Sequence, residues 1–152
     1  MEGLERILKE HPFFAAFKPE QIQLLAGCAR NHRFTAGQYL FREGDAADEF
    51  FLIRHGKVAL EITAPGKEAI VFETLGDGEV AGSSWLVAPY RWMFDARATT
   101  LTRAIGMDAK CLRGKCDADH SLGYEMMRSV LSVLVKRLDH TRLQILDVYG
   151  RG

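Results

Sequence analysis

Neither sign of charge prevails in this chain: Lys plus Arg and Asp plus Glu both total 20. A formal net charge of zero supplies no global basic field to draw the protein onto nucleic acid. Cysteine is scarce as well, at three: Cys28, Cys111 and Cys116. An odd, sparse set argues against a disulfide framework, so the expectation is ordinary buried or surface thiols in a reducing, cytoplasmic setting. Cys111 and Cys116 alone are too few to hold zinc or an iron–sulfur cluster. No apolar run approaches the ~18 residues that span a membrane. The N-terminus, MEGLERILKEHPFF, is mixed in charge and lacks the apolar stretch of a signal peptide. His11, His32, His55, His120 and His140 are scattered without metal-ligand spacing and read as surface or turn residues. Ser83-Ser84 lacks the Gly-x-Ser-x-Gly elbow. No nucleophile–base pair can be named, so the chain reads as non-enzymatic.

What is present is enough for one domain with a proper core: 152 residues, 47% of them apolar. Residues 2–10 predict a short amphipathic helix carrying Leu4, Ile7 and Leu8 on one side, ended by Pro12. Lys18-Pro19-Glu20 opens a second helix, because proline suits a first turn. Ile22, Leu24, Leu25 and Cys28 are its inward residues. From Phe34 to Met107 short apolar runs alternate with turn signals at Gly37, Glu43-Gly44-Asp45, His55-Gly56, Pro65-Gly66 and Gly76-Asp77-Gly78. The runs predict strands at Phe34-Thr35, Tyr39–Phe41, Phe50–His55, Lys57–Thr63, Glu68–Leu75, Val80-Ala81, Met93–Ala98 and Thr100–Met107. About eight short strands at this spacing predict an antiparallel jelly-roll barrel. Phe51, Ile53, Val58, Leu60, Val71 and Leu75 are expected to line its interior. A short helix over Asp108–Arg113 and a polar connector over Gly114–Asp119 follow. The parts are thus N-terminal helices over 1–33, a β-roll over 34–113, and a connector with a long helix over 114–152.

The long helix is expected from Ser121 to about Val148, with Asp117, Asp119 and Ser121 as capping candidates. Met127, Leu131, Leu134, Leu138, Thr141, Ile145 and Val148 recur four and three residues apart, an a/d seam of about three heptads. Val130, Val133 and Val135 widen the apolar stripe beyond what one barrel contact covers. The expectation is a homodimer through this seam.

Residues 76–98, GDGEVAGSSWLVAPYRWMFDARA, combine a Gly-Asp-Gly turn, two hydroxyls and a guanidinium. A helix starting near Gly82 would present backbone N–H groups to an anion, and Arg91 would add a forked pair of donors. Upstream stand Gly37, the Glu43-Gly44-Asp45 turn, Asp48, Phe51-Leu52-Ile53 and Gly56-Lys57-Val58. With Gly76-Asp77-Gly78-Glu79 and Arg97-Ala98, these resemble the cyclic-nucleotide-binding domain family, the sensor half of catabolite-activator-type regulators. The resemblance covers roughly Phe13 to Leu112 and makes residues 76–98 the phosphate-binding cassette. It also makes the last helix the dimer helix, and Asp45, Asp48 and Glu49 turn-capping residues.

The departures fall at the ligand contacts. The family places a glutamate after the cassette glycine for the ribose hydroxyl; here the step reads Gly82-Ser83. Counting back from Arg97-Ala98, the slot of the family's phosphate-binding arginine holds Trp92 and the small-residue slot holds Phe94. Arg91 sits one place early. Trp85, Tyr90, Trp92, Phe94 and Phe72 form the densest aromatic set, read as a plug of the pocket ahead of a stacking platform.

The resemblance therefore implies a regulatory sensor domain without a cofactor. Gly82, Ser83, Ser84, Arg91 and Trp92 are its ligand-binding candidates, for a small anion or nucleotide. Cyclic AMP binding is expected to be weak or absent. The alternative is a degenerate receptor that serves as a dimerisation or protein-docking module. A cupin-type enzyme is the remote rival, and it needs a histidine cluster. The chain ends at Gly152, which leaves no room for a helix-turn-helix domain, so DNA binding by this chain alone is not expected.

Overall fold

Leu4, Ile7 and Leu8 share one side of α1 (Glu2–Glu10) and turn it onto the core, where Leu8 is fully buried. The computed structural model that shows this describes residues 2–150. Pro12 stops α1, and a 3-10 turn over Pro12–Phe14 sends Phe13 and Phe14 inward. Helix α2 (Pro19–Ala26) has its proline in the first turn and buries Ile22 and Leu25. Leu24 does not join them; it is 46% exposed, because Ile22 and Leu25 already fill the inward face of so short a helix.

Eight strands follow among the described residues, in two antiparallel sheets, which bears out the expected roll. One sheet has the order β1-β8-β3-β6, with β1 Ala29–Phe34, β8 Thr102–Asp108, β3 Glu49–His55 and β6 Val80–Ala81. The other has the order β2-β7-β4-β5, with β2 Tyr39–Phe41, β7 Asp95–Ala98, β4 Val58–Ile62 and β5 Ile70–Leu75. Strand β1 is longer than expected. Its polar sequence hides a ladder that runs from Ala29↔Met107 to Phe34↔Thr102; as an edge strand it needs an apolar face on one side only.

Phe51, Ile53, Val58, Leu60 and Leu75 are buried as expected. Val71 is not: it is 48% exposed. A register shift between Leu60 and Glu61 sets Val71 opposite Glu61 on the edge strand β5, and a one-residue slip reverses which face a side chain takes. Strand β3 is buried on both faces, so Phe50 and Leu52 also belong to the core.

Helix α3 spans Ala109–Ala118, so the stretch read as a connector from Gly114 continues the helix to Ala118. The Asp108 carboxylate caps it by accepting from the Cys111 N–H at 2.9 Å. Cys28 and Cys111 form a disulfide across a sequence separation of 83, and only Cys116 is a free thiol among the described residues. This corrects the expectation of three ordinary thiols. The β1–β8 ladder ends at Ala29↔Met107, which brings the flanking Cys28 and the first turn of α3 together, a proximity that spacing along the chain does not reveal. His11 is a turn residue, capping the 3-10 turn, but it is buried; its Nδ1 accepts from the Phe13 N–H at 3.2 Å. Glu49 is no turn cap: it opens β3 and binds Arg30 at 3.1 Å and His32 at 2.7 Å.

The Asp119 carboxylate accepts from the Ser121 and Leu122 N–H groups at the start of α4 (His120–Gly150). Leu122, Met126 and Val130 are buried, with Val133 half-buried. These four form the helix face that joins the hydrophobic core. Arg137 continues that face. Its Nε lies 3.7 Å from Glu73 on β5, and it donates to the Val80 carbonyl on β6. Burial pulls the guanidinium below its ordinary value, and Glu73 and Glu79 pull it back up. Met127, Leu131, Leu134, Leu138, Thr141, Ile145 and Val148 lie off this face and are exposed or half-exposed.

Candidate functional site

The stretch 76–98 begins with a turn pinned from several sides. Gly78, at φ +81, donates to the Ile53 carbonyl at 3.0 Å, and the Asp77 carboxylate accepts from the Gly56 N–H at 2.9 Å. After β6 comes Gly82 at φ +98, a conformation glycine adopts at little cost. Its lack of a side chain matters more. A Cβ there would sit 2.3 Å from two carbons of the Trp92 ring. The expected helix at Gly82 is absent; Ser83–Leu86 makes one turn, closed by Leu86 N–H to the Ser83 carbonyl at 3.2 Å.

The second half of the stretch is laced to the 43–47 loop. Gly44 N–H donates to the Trp92 carbonyl at 2.8 Å, Trp92 N–H to the Asp45 carbonyl at 3.0 Å, and Ala47 N–H to the Tyr90 carbonyl at 2.7 Å. These bonds fix which side chain points where. Arg91 lies exposed, with Nη1 donating to the Gly44 carbonyl at 3.3 Å. Trp92 turns inward and is 2% exposed. Its ring stacks on Phe41 at 3.8 Å and 12°, and Phe41 touches Phe51 and Phe94, which in turn meets Phe72. The indole therefore fills the space between the cassette glycine and the opposite wall of the roll.

The aromatic set read from the sequence divides in two. Trp92, Phe94 and Phe72 meet through Phe41, whose part the sequence did not announce. Trp85 lies elsewhere, stacked on Phe50 at 4.6 Å. Tyr90 sits under the Arg113 guanidinium at 4.1 Å, and Arg113 also donates to the Trp85 carbonyl at 2.6 Å. Arg113 thus ties the cassette to α3, a role with no signature in the sequence.

Ser83, Ser84 and Arg91 come together outside the roll. They share a groove of about 520 Å³ with Leu86, Val87, Pro89 and Met93 on one wall, and Met127, Leu131 and Leu134 of α4 on the other. Gly82 and Trp92 stay on the roll side, so the five candidate residues occupy two places. A second groove, about 670 Å³, runs along the other flank of α4 and is rich in paired charge, including Glu73 and Arg137. Among the described residues, no group of three or more His, Cys, Asp or Glu is arranged to hold a metal, and no helix is long and apolar enough to cross a membrane.

Comparison with known proteins agrees with the fold. A CRP-like cAMP-activated global transcriptional regulator of Mycobacterium tuberculosis is 27% identical over 145 residues, 95% of this chain. The chain spans 63% of that relative's length. A candidate cyclic nucleotide-binding protein from Geobacter metallireducens GS-15 superposes with a TM-score of 0.80 at 28% identity, covering 91% of this chain and 99% of its own. A cyclic nucleotide-binding domain from Methylobacillus flagellatus shares the fold at 20% identity, with a TM-score of 0.79 over 96% of this chain and 82% of its own. The family model of the cyclic nucleotide-binding domain matches residues 31–119, more than half of the chain and every strand from β2 to β8, and this chain belongs to that family.

Proposed function

We propose that this chain is a non-enzymatic regulatory module whose roll is filled by its own Trp92 and whose output is the pairing of α4 with a second copy. One observation carries the reading: the Trp92 indole, 2% exposed, lies against Gly82 and Phe41 inside the roll. A cyclic nucleotide brings one phosphate charge, a ribose hydroxyl and a flat base. At the position of the family's arginine, indole offers one N–H and no charge. Ser83 offers a hydroxyl where a carboxylate would give a charge-assisted bond. An anion without its cation in a partly buried site loses about 2–5 kcal/mol. At ~1.4 kcal/mol per tenfold, that takes micromolar affinity toward millimolar.

The M. tuberculosis relative is described as cAMP-activated; the substitutions above argue that this chain does not share that ligand. The exposed seam from Met127 to Ile145 supports the dimer. Thermal melting with cyclic AMP and cyclic GMP tests the reading. A micromolar ligand at a thousandfold excess would add about 4 kcal/mol, or roughly ten degrees for a domain of this size. A rise of no more than about one degree is expected at millimolar nucleotide, and a rise of several degrees would overturn the plugged-roll reading.

A second reading keeps a ligand but moves it outside the roll. It is favoured by the convergence of Ser83, Ser84 and Arg91 on the groove beside the α4 seam. A small anion there would meet two hydroxyls and a guanidinium next to the dimer helix. Any anion stabilisation that vanishes in Arg91→Ala while the dimer persists would support this reading.

A further inference from the structure

Three links converge on α3. Its first turn is joined to the end of α2 by the Cys28–Cys111 disulfide. Two residues on, Arg113 holds the cassette through the Trp85 carbonyl and the Tyr90 ring. At its far end α3 packs closely on α4: a Cβ on Gly123 would lie 3.1 Å from the Cys116 carbonyl oxygen. A change in how α3 is held at Cys111 therefore reaches both the cassette and the start of the long helix.

We infer that the Cys28–Cys111 bridge is a thiol–disulfide exchange site, opened by a dithiol reductant, that tethers α2 to α3 and so sets how firmly α3 holds the cassette and α4. The two cysteine residues differ in burial. Cys28 is buried and Cys111 is half-exposed, so the incoming thiolate reaches Cys111. It forms a mixed disulfide with the Cys111 sulfur, and Cys28 leaves as a thiolate that takes a proton. The reductant's second thiol then attacks the mixed disulfide and releases Cys111 as a thiol. The bridge gains two electrons and two protons, and the reductant leaves as its own disulfide. Cys116 does not compete, because burial and the nearby Asp117 and Asp119 push its thiol up, which keeps it protonated and slow.

What remains after reduction is specific. The Cys28 carbonyl still accepts from the Asp108 N–H at 2.8 Å, and the Lys115 ammonium still reaches the Leu24 carbonyl at 2.5 Å. The β1–β8 ladder next to the bridge is untouched. Reduction thus loosens α2 against α3 without unfolding the roll. The tether does not depend on whether α4 pairs or on what the roll binds.

The test uses the full chain purified without reductant. Alkylation in denaturant followed by mass spectrometry is expected to tag one cysteine, Cys116. After millimolar dithiothreitol on the native protein, then quenching, it is expected to tag all three. Hydrogen exchange on the same samples is expected to speed up several-fold on reduction in Pro19–Ala26 and Ala109–Ala118, over times at which β3 and β8 remain protected. Cys116→Ser should keep this response. The wild-type comparison needs no variant, so a poorly folding Cys28→Ser would not disable the test. Three tagged cysteines before reduction would overturn the inference. So would a bridge that opens only in denaturant, or helix exchange that ignores its state.

Discussion

Gly82→Ala adds one methyl group, and its cost depends on what Trp92 is. At φ +98 an alanine is strained, by about 1–3 kcal/mol. Its Cβ would also lie 2.3 Å from two atoms of the Trp92 ring. The ring cannot retreat freely, because it stacks on Phe41 at 3.8 Å. Forcing such a contact in a packed interior adds about 1–3 kcal/mol, so the single substitution should cost roughly 2–6 kcal/mol. Trp92→Ala removes a buried ring and should cost about 3–5 kcal/mol. In the double variant the backbone strain persists but the clash is gone. The combined loss should fall short of the sum by about 1–3 kcal/mol. Urea unfolding of the wild type and the three variants, followed by circular dichroism, measures the difference. Losses that add within about 0.5 kcal/mol would mean that the indole does not rest on Gly82, and the plug would be wrong.

Other consequences are simpler to check. Leu134 and Leu138, 42% and 50% exposed, sit in the proposed seam; changing both to lysine should give monomers by sedimentation, and a monomeric wild type would refute the seam. Burial pushes the His11 imidazole below its ordinary value, with the Ile53 backbone pulling the other way. A depressed folded value means stability that is whole above the unfolded value of ~6.5 and drains as pH falls through the folded one. His11→Asn keeps the acceptor for Phe13 but cannot titrate, so its stability should fall less steeply below pH ~6.5; parallel curves would refute this. Closing a loop of 83 residues stabilises by about 4.5 kcal/mol in the chain-entropy account. Reduction should therefore lower the urea midpoint clearly, and an unchanged midpoint would contradict the bridge.

Most of the fold was legible because turn chemistry and strand length carry it. Gly37, Gly44, Gly56, Gly66 and Gly78 all take positive φ, so the turns could be located from glycine alone. Strand β1 escaped because ARNHRF has no apolar run; its identity comes from β8, far along the chain. Val71 was misplaced because a register shift is set by partners, not by alternation. The site was legible as an expectation: counting from Arg97-Ala98 sets Trp92 where the family resemblance expects an arginine. That the indole would enter the roll while Arg91 stayed outside could not be read this way. It depends on the backbone bonds between Trp92 and the 44–45 loop. Arg113 and the Cys28–Cys111 bridge join residues 28 and 83 positions apart, and no local pattern announces such pairs.

The central claim is that the Trp92 indole occupies the place a nucleotide would need. Fluorine NMR of protein labelled with 5-fluorotryptophan reads that ring directly. The chain has two tryptophans, and Trp85→Phe assigns the pair of resonances. With cyclic AMP added to millimolar concentration, the Trp92 resonance should neither shift nor broaden. A saturable shift with a micromolar midpoint would show the ring giving way to the nucleotide, and would contradict the account.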